Sequence, residues 1–205
     1  MSVYDGRTIP WRVYHGVPAG WRAEDIVQEH ARLGGCFPLR VPAPIEVPSL
    51  HAVPEQDGWL HYRLTVHRLA EGVRASDPAC IELAVRYIQL HYIGSYAGYL
   101  RARLARALKH APLQESQRRV LHQHFAALSL RGEHTHEFPE YLKLWRRIVR
   151  PEEREALAQA FRDLPDGERR ATRWESLMDA NGRPGPGGRS PSGNMANRGR
   201  TGRRN

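Results

Sequence analysis

The sequence predicts a mainly α-helical protein: a helical bundle of about five helices, preceded by a small irregular α+β N-terminal region and followed by a disordered basic C-terminal tail. Three observations carry this reading. Apolar residues recur at helical spacing through residues 77–164. Before that stretch, Pro38, Pro42, Pro44, Pro48 and Pro54 fall close together and exclude a regular helix there. After Asn181 the chain is almost wholly Gly, Pro, Ser, Arg and Asn. Such a composition cannot offset its ordering entropy by burial. The expected organisation is therefore a Pro-rich α+β region over 1–70, a helical bundle domain over 77–164, and a disordered Arg/Gly-rich tail over 165–205.

In the N-terminal region, Ile9, Trp11 and Val13 alternate, as do Leu60, Tyr62, Leu64 and Val66. This is the period-2 pattern of half-buried strands, and Asp57-Gly58 reads as the turn into the second. Between them, Arg22 to Leu33 reads as a short helix closed by Gly34-Gly35, with Ile26, Val27, His30 and Leu33 on one face.

The bundle opens at Asp77-Pro78, an N-cap followed by proline at the first helical position. Ile81, Ala84, Val85, Ile88 and Tyr92 form its first stripe. Gly94-Ser95 breaks the helix, and Ser95 is placed to cap the next one, whose stripe is Ala97, Leu100, Leu104, Leu108 and Ala111. A third helix carries Leu113, Val120, Leu121, His124, Phe125 and Leu128 and closes at Gly132. The fourth starts at Pro139 and gathers Phe138, Tyr141, Leu142, Trp145, Ile148 and Val149 in a narrow arc. The fifth opens with Pro151-Glu152-Glu153, suited to a helix N-terminus. Its stripe is Leu157, Ala160, Phe161 and Leu164. Short connections between amphipathic helices make antiparallel neighbours, in a bundle or a right-angled stack of helix pairs. No repeating period is visible, so a solenoid is not expected. Beyond Pro165 periodicity fades, with Trp174, Leu177 and Met178 suggesting one docking turn.

Net charge is +9 over 205 residues. Six arginines and no acid lie in 181–205, so the body is only mildly basic. Cys36 and Cys80 are isolated and form no disulfide framework or zinc spacing, which points to a reducing cytoplasm. Cys80 falls in a first helical turn, where the dipole favours a thiolate; burial as a small hydrophobe is the competing expectation. The opening residues lack an apolar signal core, and no run approaches the roughly 20 apolar residues of a membrane span. No membrane partner is expected. Phosphate-loop, dinucleotide, nucleophile-elbow and zinc-protease motifs are all missing, so no cofactor and no catalytic residue is predicted.

The residues that point to a partner are basic. Tyr99, Arg103, Arg106 and His110 fall within an arc of about 60° on one helix, clear of its leucine stripe. Lys143, Arg146, Arg147 and Arg150 share a face opposite Trp145. The tail adds Arg198, Arg200, Arg203 and Arg204, and its RGRTGRR ending resembles a short RGG-like low-complexity segment. Clustered guanidiniums displace counterions from phosphates, and Tyr99 or His110 can stack on a base. These twelve residues predict nonspecific DNA or RNA binding by a non-catalytic accessory protein. A helical protein-interaction module anchored by exposed Tyr and Trp is the alternative. A third expectation is metal-assisted hydrolysis through His134 and His136, which share a face of an extended segment flanked by Glu133 and Glu137.

Overall fold

A computed structural model describes residues 16–43 and 58–179. Among them are eight helices and no strand: α1 (Ala23–Arg32), α2 (Trp59–Arg74), α3 (Pro78–Leu90), α4 (Ala97–Leu108), α5 (Glu115–Arg131), α6 (Phe138–Ile148), α7 (Pro151–Arg162) and α8 (Gly167–Asp179). The protein is thus mainly helical. No helix among the described residues is long and apolar enough to cross a membrane.

Two expectations are corrected. The strand read at Leu60–Val66 is the first half of α2. Tyr62, Val66, Leu69, Ala70 and Val73 are among its buried residues, at helical spacing. The alternation that suggested a strand spans only seven residues of a sixteen-residue helix, and Leu60 and Leu64 are only half-buried. Tertiary burial of the longer stripe outweighs the short period-2 match. The segment from Gly167 to Asp179, placed in the disordered tail, is likewise a helix, with Gly167, Ala171, Trp174 and Met178 buried. The strand expected at Ile9–Val13 and the tail beyond residue 179 lie outside the described residues.

The helices stack in two layers. In one, α2 packs on α4, α4 on α6 and α6 on α8; in the other, α3 packs on α5. Chain order alternates between layers from α2 to α8. Helices within a layer run parallel: Trp59 meets Tyr96 where α2 and α4 begin, and Glu71 meets Arg103 farther along. Trp145 and Arg146 of α6 likewise meet Trp174 and Leu177 of α8. One apolar cluster runs from Ile26 through Trp145 to Met178 and ties both layers together. The stack therefore has the connectivity of a solenoid without a sequence repeat.

Asp77 locks the N-terminal segment onto this stack. Its carboxylate caps α3 by accepting from the Cys80 N–H at 2.7 Å. It also accepts from the Cys36 and Phe37 N–H groups and sits 3.0 Å from His30 Nε2. Burial works to raise this carboxyl, but the backbone hydrogen bonds from Cys80, Phe37 and Cys36 outweigh it and hold it well below the usual range. His30, Asp77 and Cys80 have ligand atoms within 4.8 Å of one another. The Asp77 oxygens are already used by those donors, and burial with the neighbouring Asp77 pushes the Cys80 thiol up. The cluster is a structural clasp, and Cys80 is a buried thiol.

Candidate nucleic-acid interface

The two layers differ in charge. Helices α2, α4, α6 and α8 carry twelve Lys/Arg against five Asp/Glu, whereas α3, α5 and α7 carry six against five. The second layer also pairs its charges internally. Arg118 bridges Glu115 and Glu153, both at 2.7 Å. Arg86 likewise pairs with Glu82 and, across to α1, with Glu29.

Over α2, α4 and α6 the predicted cations assemble in part. Arg106 of α4 and Lys143 of α6 both approach Glu140, at 4.0 and 2.9 Å. The two cationic faces thus meet over a single carboxylate. Arg103 lies 3.9 Å from Glu71 of α2. Arg147 is exposed, with no ion pair among the described residues. His110 is exposed just beyond the end of α4. Two members leave the group. Arg146 donates to the Leu177 carbonyl on α8, with Nε at 2.9 Å, and Arg150 crosses to Glu115 at 2.7 Å. Arg198, Arg200, Arg203 and Arg204 lie outside the described residues.

Tyr99 is 59 % exposed, against His136 at 4.8 Å and Tyr96 at 5.8 Å between ring centroids. Tyr96 is 49 % exposed. It occupies the left-handed region at φ 63°, as does His91 at φ 46° across the same connection. Non-glycine residues are uncommon there, and such strain tends to persist at working surfaces. Tyr96, not Ser95, is the N-cap of α4, and its side chain forms no cap bond.

Two residues of this surface come from α2. The Arg63 guanidinium lies 4.0 Å from the Tyr96 ring centroid and 4.6 Å from that of Trp59. It forms no ion pair among the described residues. His67 follows one turn later; burial, then the Arg103 and Arg63 charges, push its imidazole below the usual range. A strand reading of this segment put Arg63 and His67 on one face with His61 and Thr65. On the helix Thr65 is buried and donates to the His61 carbonyl. The i, i+4 spacing of Trp59, Arg63 and His67 was the signal available in the sequence.

Beneath this surface Arg101 is paired with Glu137, at 4 % and 2 % exposure, and also donates to the Tyr92 carbonyl. Burial works to raise Glu137, but Arg101 and local hydrogen bonds hold it below the usual carboxylate range. A Cβ at Gly98 would lie 2.9 Å from Glu137 Oε2, so glycine is what lets the carboxylate reach between α4 and α6. His91 and His124 meet edge to face at 5.7 Å nearby. Burial, then His91 and Arg101, push His124 down to about 4. This enclosed network pins α4 to α6 and fixes the spacing of the surface above it.

His134 and His136 turn to different sides of α6. His134 stacks on Phe138 at 4.3 Å, near Arg170 and Arg173 of α8, whereas His136 meets Tyr99 of α4 edge to face. The shared face that a common metal requires is not formed.

Neither protein-family models, curated proteins nor solved structures give a match to this chain.

Proposed function

We propose that the protein is a non-catalytic nucleic-acid-binding module that receives a single strand along the outer surface of α2, α4 and α6. The observation that carries this reading is Arg63, stacked against Trp59 and Tyr96 beside exposed Tyr99, in a helix layer where cations outnumber acids. Guanidinium groups with interleaved aromatic rings are the pairing that takes phosphates and unstacked bases together. Arg63, Arg103, Arg106, Lys143 and Arg147 supply the charge, with Glu71 and Glu140 offsetting part of it. The arginines of the tail add a nonspecific tether.

The test is fluorescence anisotropy with a labelled single strand and a labelled duplex across a salt series. Five phosphate contacts give a log–log salt slope of about −3.5 on single-stranded nucleic acid, from ~0.7 per contact. The slope is expected to shrink when residues 181–205 are deleted. No binding at low salt ends the proposal.

A second reading, a helical protein-docking module, is supported by Leu90, Ile93, Tyr96 and Tyr99. They are large, exposed apolar side chains gathered in and around the α3–α4 connection. Stoichiometric co-purification of one protein, with no nucleic acid in the absorbance spectrum, selects it over the first.

A further inference from the structure

We propose a second, separate site: a pocket between the end of α5, α6, α7 and α8 that binds a small organic anion, one aromatic ring carrying a single carboxylate. The pocket is about 260 Å³, floored by Phe138, Leu142, Phe161 and Trp174, with Arg170 and Arg173 at its edge. An apolar cavity of ~150 Å³ accommodates benzene. This one therefore has room for one ring and an acid group, and is small for larger ligands.

The cations at its edge have no acid partner among the described residues. Ser129 and Trp174 line the pocket at 4 % exposure each. All three acids of α8 face α7 instead: Glu175 pairs with Arg162 at 2.9 Å, Glu168 with Arg162 at 4.0 Å, and Asp179 with Arg154. Glu133, next to His134, is taken by Arg131 at 2.8 Å. Arg170 and Arg173 are left without an acid among the described residues.

The Arg170 guanidinium lies over Gly132, 3.7 Å from where a Cβ would stand, at the pocket edge. His134, also lining the pocket, is held below its usual range by burial and then by Arg173 and Arg170. A neutral imidazole beside two unpaired guanidiniums can donate to a carboxylate without adding a third charge. The apolar floor distinguishes this site from the surface over α2, α4 and α6, and the proposal stands apart from nucleic-acid binding.

The experiment is a calorimetric titration of the full chain with phenylacetate, with benzyl alcohol and inorganic phosphate titrated as controls. Saturable one-site binding of phenylacetate, millimolar or tighter, with far weaker binding of both controls, is the expected result. Arg170→Gln combined with Arg173→Gln should weaken it roughly 10- to 100-fold, the loss of two charge-assisted contacts, with the unfolding midpoint unchanged. The His134 imidazole resonances should shift on titration. Absence of saturable phenylacetate binding overturns the site, as does binding that the double variant leaves intact. Phosphate binding as well as phenylacetate also overturns it, because that describes an open cationic surface. None of these outcomes depends on whether the chain binds nucleic acid.

Discussion

The two helix layers put the same side chain to opposite uses. In α5 and α7 an arginine is a cross-brace: Arg118 reaches Glu115, Glu153 and the Ile148 carbonyl, and Arg150 reaches Glu115. In α2, α4, α6 and α8 twelve cations share five acids, and arginines either sink into the core, as Arg101 does, or stand at the surface, as Arg63 and Arg147 do. Arginine abundance therefore says little about a partner. The local count of acids within reach decides whether a guanidinium is consumed by the fold or left for something else.

The largest expected effect is at the buried pair. Arg101→Ala leaves Glu137 charged, buried and unpaired, and should cost about 3–5 kcal/mol in urea unfolding. Replacing both residues by leucine should recover much of that. A single-variant cost under about 1 kcal/mol breaks the distinction between buried and surface arginines drawn above.

Next comes pH. His124 is depressed to about 4 from an ordinary 6.5, so the folded state keeps it neutral while the unfolded chain takes up a proton. Stability is expected to fall between pH 6.5 and 4 by up to about 3 kcal/mol, and this component to level off below pH 4. His124→Asn should reduce the loss across that window, with the remainder carried by His67, His91, His122 and His134, which burial also holds low. The depressed carboxylates Asp77, Glu137 and Glu153 lose their contribution lower, from about pH 4.5 downward. Denaturation midpoints at half-unit pH steps separate the two ranges.

Smaller effects follow at the surface. Tyr99→Ala should weaken single-strand binding by about 1–3 kcal/mol and change duplex binding less, because stacking needs an unstacked base. Equal losses on both would show that Tyr99 acts without stacking. Arg118→Ala should cost about 1 kcal/mol of stability and leave the salt slope of binding unchanged. A changed slope would place part of the binding on the acid-matched layer.

The helices from Asp77 to Leu164 were legible because each carries a long apolar stripe bounded by proline, glycine or a capping acid. The buried residues Ile81, Leu104, Phe125, Trp145 and Phe161 all lie on those stripes. Over the first half of α2, Leu60, Tyr62, Leu64 and Val66 mimic a strand; only with Leu69, Ala70 and Val73 do Tyr62 and Val66 show helical spacing. Helix α8 was missed because Gly167, Ala171, Trp174 and Met178 are a sparse stripe among charges, next to a Gly/Pro-rich stretch. The cationic faces were half legible. Spacing placed Tyr99, Arg103 and Arg106 together, but no local rule foretold that Arg146 would turn to Leu177 or Arg150 to Glu115.

By itself the sequence determined that residues 77–164 fold as amphipathic helices, which residues stop them, and which face of each is apolar. Those properties depend on neighbours three or four residues away. The order of the two layers, the meeting of Arg106 with Lys143 over Glu140, and the lack of an acid partner for Arg170 and Arg173 among the described residues were decided by tertiary packing. Each depends on which helices become neighbours across the stack, and that is settled by how all the apolar stripes are buried together.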